Sequence, residues 1–127
     1  MRRHWNPDGI APPFGRYVQA VLVERPQRLL ALSGLLGIRA DGTIPASLEA
    51  QTEVILEAID AALAEAGMSR SQVVRMATFL VDPEARVAYM ALRDAWVAEP
   101  PPASTLIVVK ALARPELLIE IEILAAA

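Results

Sequence analysis

The sequence predicts an α+β fold, a two-layer sandwich with two helices on one face of a mixed sheet. Three observations carry that expectation. Residues 48–66 and 84–98 repeat apolar side chains at helical spacing. Residues 17–23, 29–33, 73–81, 104–112 and 117–124 are rich in apolar and β-branched residues, giving the order β-β-α-β-α-β-β. No linker, repeat or low-complexity segment interrupts them, so residues 1–127 read as a single domain large enough to bury a core.

Residues 1–16 contain Asn6-Pro7-Asp8-Gly9 and Pro12-Pro13, which predict an irregular arm carrying a solvated His4. Tyr17–Val23 reads as a strand, Arg25–Arg28 as a turn and Leu29–Ser33 as the hairpin partner. Asp41-Gly42 marks a tight turn. In the first helix, about Leu48–Ala66, Val54, Ile55, Ala58, Ile59, Ala62 and Leu63 form one stripe. Ser47 suits its N-cap, and Gly67 the position past its last turn. Glu53, Glu57, Asp60 and Glu65 make a solvated acidic face, with no histidine or cysteine beside them to suggest a metal.

Val73–Val81 is the next strand, ended by Asp82-Pro83. A second helix, about Glu84–Ala98, is expected to bury Ala88, Tyr89, Leu92 and Trp96 before Pro100, Pro101 and Pro102 stop it. Ser104–Leu112 and Leu117–Leu124 then read as a closing hairpin around Ala113–Glu116. In its second strand Ile119, Ile121 and Ile123 share one wholly apolar face. Leu118, Glu120, Glu122 and Leu124 share the other. A face that mixes carboxylates with leucines suggests a seam between subunits or the wall of a pocket.

Composition points the same way. Hydrophobic residues make up 54% of the chain, and the mean hydropathy is +0.36, high for a small domain with much surface. Two helices cover one sheet face, so the second apolar face predicts self-association. No run reaches the roughly 18–20 apolar residues of a membrane helix, and Met1–Pro7 lacks the apolar core of a signal peptide. Zero cysteines exclude thiol chemistry and fit a cytoplasmic protein. A net charge of −3 argues against nucleic acid as a partner.

Several fragments together resemble the RidA family (YjgF-like reactive intermediate deaminases, also labelled L-PSP endoribonucleases). They are Ser33-Gly34, Asp41-Gly42 with Pro45, Gln51-Thr52, Glu65-Ala66-Gly67, Phe79-Leu80 with Asp82, Pro102 with Ser104-Thr105, and Ile119-Glu120-Ile121-Glu122. The resemblance runs from Gly15-Arg16-Tyr17 to Glu122. It implies a chorismate-mutase-like fold, a homotrimer, and a cleft at each subunit interface. It also implies hydrolysis of enamines and imines such as 2-aminoacrylate to the 2-keto acid and ammonia. A small-molecule ligand is the expected partner, and no cofactor, metal or membrane is expected.

On that resemblance Tyr17 and Ser33 match the cleft tyrosine and serine, and Glu120 the carboxylate that positions or activates water. Ser104 and Thr105 offer hydroxyls and backbone N–H groups to a ligand. Ala103 departs from the pattern, because most members carry there an arginine that grips the substrate carboxylate. Leu35 and Met90 replace a glutamine and an asparagine. Alanine offers no charge and no fork of donors, so bidentate carboxylate binding from position 103 is lost. The readings that remain open are a divergent deaminase or related hydrolase and a non-enzymatic trimer that binds or senses a metabolite, with an endoribonuclease third and disfavoured by the net charge. Arg16, expected to be exposed, has a substitute anion clamp as its alternative role. Glu122, one pleat from Glu120, and Arg114, in the turn, are expected to be structural and solvated respectively.

Overall fold

In the computed structural model, which describes residues 1–127, the alternating run near Ile119 becomes an inner strand of the main sheet. The strands are β1 (Arg2–Trp5), β2 (Ala20–Val23), β3 (Leu29–Ala31), β4 (Leu35–Leu36), β5 (Val73–Leu80), β6 (Ala103–Val108) and β7 (Ile119–Ala126). The helices are α1 (Leu48–Glu65) and α2 (Arg86–Trp96). The main sheet runs β3-β7-β5-β6, with β4 also paired to β7. β7 is antiparallel to β3, β4 and β5, whereas β5 and β6 are parallel. The expected α+β sandwich is therefore present, with seven strands and two helices.

Ile119, Ile121 and Ile123 turn into the layer between sheet and helices and are buried with Ile55, Ile59, Leu63, Met76 and Leu80. Each such side chain contributes about 1.5–3 kcal/mol relative to exposure. Ser47 caps α1 by accepting a hydrogen bond from the Ala50 N–H at 3.1 Å. Gly67 follows the helix at φ +65°, the left-handed conformation that ends a helix most easily on glycine. The buried stripe of α1 is rotated from the expected one. Gln51, Thr52 and Leu56 are buried, Val54 is half-buried and Ala58 is exposed. Thr52 satisfies its hydroxyl on the Leu48 carbonyl at 2.8 Å. Gln51 satisfies its amide on two segments: Nε2 donates to the carbonyls of Pro45, just before α1, and of Glu116, in the loop before β7, and Oε1 accepts from the Leu118 N–H of that loop.

Asp60 and Arg70 form a two-pronged ion pair at 2.7 and 2.8 Å, and Trp96 of α2 donates its indole N–H to the same carboxylate. The Arg70 hydrogen bonds hold the Asp60 carboxyl below its ordinary value. Tyr89 of α2 meets Thr78 of β5, hydroxyl to hydroxyl, at 2.5 Å. Burial pushes the Tyr89 phenol above its ordinary value, so it stays neutral.

Neither expected hairpin forms. β5, α2 and β6 make a parallel crossover, so β6 lies beside β5, and β5 separates it from β7. β2 pairs with β1 and β3 with β7, because the supposed arm supplies a strand of its own. Arg2-Arg3-His4-Trp5 carries no apolar alternation; Arg3 stacks over the Trp5 ring at 4.1 Å instead. His4 is half-buried, with Nδ1 2.8 Å from the Pro101 carbonyl oxygen, and not freely solvated. The sheet face away from the helices stays open, leaving Ile107 and Leu124 at 48% and 36% exposure.

Candidate functional site

Tyr17 is brought to strand β6 by the backbone. The Val18 N–H donates to the Pro102 carbonyl at 3.0 Å, and Val18 bridges Ala103 in parallel register. Tyr17 therefore lies beside Ala103 and Ser104. Arg93 of α2 reaches the same place, although it is almost completely buried. Its guanidinium carbon lies 5.4 Å from the Tyr17 ring centre and 5.9 Å from that of Tyr89. Asp94 Oδ1 accepts from Arg93 Nε at 3.1 Å and Nη2 at 2.9 Å, and Ser104 Oγ lies 3.4 Å from Nη1. Tyr17, Arg93 and Ser104 wall a cavity of about 280 Å³ whose other sides are Phe14, Arg86, Met90 and Leu106. Gly15 makes the approach possible, since a Cβ there would lie 2.6 Å from Arg93 Nη2 and 2.9 Å from Met90 Cε.

A second group forms on β4 and β7. Leu36 pairs with Glu120, which packs the Gly34 backbone against the glutamate side chain. A Cβ on Gly34 would fall 2.6 Å from Glu120 Cδ and closer still to its oxygen Oε2. Ser33, one residue earlier, is exposed. Glu120 is half-buried and takes part in none of the chain's three ion pairs. Glu122 is exposed and lines a hollow of about 280 Å³ with Ala31, Arg75, Ala77 and Leu124.

The two groups do not meet within one chain. Across the sheet Glu120 is level with Phe79 and Ile107, whereas Ala103 is level with Arg75 and Leu124. Four residues along a strand span about 13 Å, and two strand spacings across add roughly 10 Å. Ser104 faces the helices, and Ala103 and Thr105 face the open side. Ala103 lines another hollow, of about 470 Å³, with Gln19, Val21, Arg75 and Leu124. Tyr17, Ala103 and Ser104 are thus neighbours, Ser33 and Glu120 are neighbours, and Thr105 is exposed between them.

Arg16 does not reach either group. It donates to Glu99 at 3.1 Å and to the Asp94 carbonyl at 2.9 Å on the exposed rim, which removes it as a free clamp. Arg114 is exposed, as expected. Sequence reasoning missed Arg93, whose charge reads as solvated, although it follows Tyr89 by four residues and precedes Trp96 by three on the buried stripe.

A two-layer α+β chain with an open sheet face and a divided polar site is the class of protein these features define. The family model described as endoribonuclease L-PSP matches residues 9–127. A solved structure from Yersinia pestis, YyfB, described as a protein of unknown function of the conserved Rid family, is 36% identical. It aligns over 99% of this chain and 98% of its own, with a TM-score of 0.88. NMB1025, a YjgF family member from Neisseria meningitidis, is 31% identical over 99% of this chain and 94% of its own, at TM-score 0.70. RidA from the Antarctic bacterium Psychrobacter sp. PAMC 21119 is 28% identical over 98% and 99%, at TM-score 0.74. No protein among those curated for function matches the chain. The chain belongs to the Rid/YjgF family. No helix is long and apolar enough to cross a membrane.

Proposed function

We propose that this chain is a small-molecule hydrolase of the enamine and imine deaminase kind, working at clefts completed between the subunits of a homotrimer. The observation that carries the proposal is the divided site. Tyr17 and Ser104 lie at one end of the sheet, Ser33 and Glu120 at another, and the intervening open face keeps Ile107 and Leu124 in water. A neighbouring subunit seated on that face would remove the leucine and isoleucine from solvent and bring one chain's Tyr17 group to the next chain's Glu120.

In this reading Glu120 takes a proton from water as the oxygen attacks the imine carbon, and returns a proton to the nitrogen. The carbon–nitrogen bond then breaks, and ammonia leaves a 2-keto acid; an enamine enters the same course after protonation at carbon. Ser33 and the backbone beside Gly34 hold the ligand at the Glu120 end, while Thr105 on the open face and the Ser104 backbone beside Tyr17 border it from the other chain. A non-enzymatic metabolite-binding trimer is the second reading, and Ala103 and Met90 favour it by removing two polar groups.

Steady-state assays, with an amino-acid oxidase supplying the imine, test the first reading. Hydrolysis above the spontaneous rate is expected, and Glu120→Gln should lower it far more than Glu122→Gln. Equal effects would place the chemistry elsewhere. No acceleration by the natural protein would favour the binder.

A further inference from the structure

We infer that Arg93 of α2 is the anion-binding residue of the cavity beside Tyr17, and that the ligand it takes there is a small organic carboxylate. The inference rests on the reading above only in placing the Tyr17 group at the ligand cleft. Position 103 holds no charge, yet the cavity next to it has guanidinium groups in its wall, one of them paired with Asp94. Two arginines, Arg86 and Arg93, stand in its wall, and no acidic side chain does.

Arg93 has the features of a prepared clamp. A guanidinium carries five N–H donors. Three are engaged here, two by one oxygen of Asp94 and one by Ser104 Oγ at the long distance of 3.4 Å. That leaves one N–H on each terminal nitrogen without an acceptor, in a side chain that is 2% exposed. Buried donors without partners are costly, and more so on a charged group. The terminal pair matches the two oxygens of a carboxylate. Asp94, through Nε and Nη2, fixes the plane of the group, and the Tyr17 and Tyr89 rings flank it. Its rotamer is therefore set before a ligand arrives, which limits the entropy lost on binding. Tyr17, Met90 and Phe14 supply apolar and aromatic walls, so the carboxylate needs a short apolar or planar body. The Gly15 backbone lies close against Nη2, which leaves no space for a side chain there.

Binding of 2-oxobutanoate and of its uncharged amide, followed by titration calorimetry, tests the clamp. The acid should bind the natural protein at least about tenfold more tightly than the amide, the usual worth of a charge-assisted contact. Arg93→Met should erase that preference by weakening the acid about tenfold to a hundredfold and the amide much less. Because a buried arginine can matter for folding, Gly15→Ala gives a second route. Its new methyl would lie 2.6 Å from Arg93 Nη2 and 2.9 Å from Met90 Cε, with Asp94 Oδ2 at 3.7 Å; these are side-chain atoms, so it displaces the guanidinium and not the backbone, and the acid should again weaken. Equal binding of acid and amide by the natural protein would overturn the inference, as would undiminished acid binding in Gly15→Ala. Arg93-dependent binding without imine hydrolysis would leave the clamp standing and remove the hydrolase reading. Hydrolysis of a carboxylate imine with an unchanged KM in Arg93→Met would do the reverse.

Discussion

Replacing Gln51 by leucine isolates the join between α1 and the loop that feeds β7. The side chain is completely buried and makes three hydrogen bonds, from Nε2 to Pro45 O at 2.9 Å and Glu116 O at 2.8 Å, and from the Leu118 N–H to Oε1 at 2.8 Å. Leucine is similar in volume and makes none of them. Glu116 is exposed, so its carbonyl can turn to water, but Pro45 is buried and Leu118 half-buried. Two groups are then left without partners, at about 1–3 kcal/mol each, and the added apolar burial returns roughly 1 kcal/mol. The net loss is about 1–5 kcal/mol, a substantial share of a typical total of about 5–15. For a chain of this length that lowers Tm by roughly 4–20 °C. Urea and thermal unfolding followed by circular dichroism measure both quantities. A loss under about 1 kcal/mol would refute the reasoning, and would mean that water or a shifted backbone replaces all three bonds. Gln51→Glu should be worse at neutral pH, since it removes both donors and buries a charge.

The divided site predicts complementation: Tyr17→Ala and Glu120→Gln proteins, unfolded and refolded together, should regain about a quarter of the natural activity, the fraction of interfaces joining two intact halves. No recovery in mixed trimers would mean that one chain supplies the whole site. Gly34→Ala should lower hydrolysis strongly while costing little stability, since its methyl meets the Glu120 side chain and not a backbone; parallel kinetics and melting curves would show this. Leu124→Lys should leave a folded chain that sediments as a monomer, whereas Ile123→Lys, one residue away on the buried face, should prevent folding. A trimeric Leu124→Lys protein would place the subunit interface elsewhere.

How much of this was legible in the sequence depended on whether the signal was local. Ser47 and Gly67 bracket α1 because capping is a matter of a few neighbouring atoms. The inward face of Ile119, Ile121 and Ile123 was legible because alternation states which side is buried. Alternation does not state which strand lies alongside, and so both hairpins were misread. The helix between β5 and β6 was the better guide, since a crossover joins parallel neighbours. β1 was missed because Arg2 and Arg3 give it no apolar pattern, and its partner lies some fifteen residues away or more. At the site, resemblance to a family pointed to Tyr17, Ser33, Ala103, Ser104, Thr105 and Glu120, but only coordinates separate them into two groups. Arg93 was hidden by its charge. A helical wheel that ignored residue type would have placed it on the buried stripe with Tyr89 and Trp96.

The position of β7 in the sheet has a consequence for how the protein is made. Its three partners, β3, β4 and β5, all precede it in the chain, and the first of them ends at Ala31. At a translation rate of about 5–20 residues per second, β3 waits roughly 5–20 s for the strand that completes its pairing. During that interval the ribosome carries a nascent chain with helices already able to form but unpaired strand edges and an uncovered apolar layer. Such intermediates attract one another and chaperones alike. Codon choice between residues 32 and 119, which sets the length of that exposure, is therefore expected to govern soluble yield more than codon choice before β3.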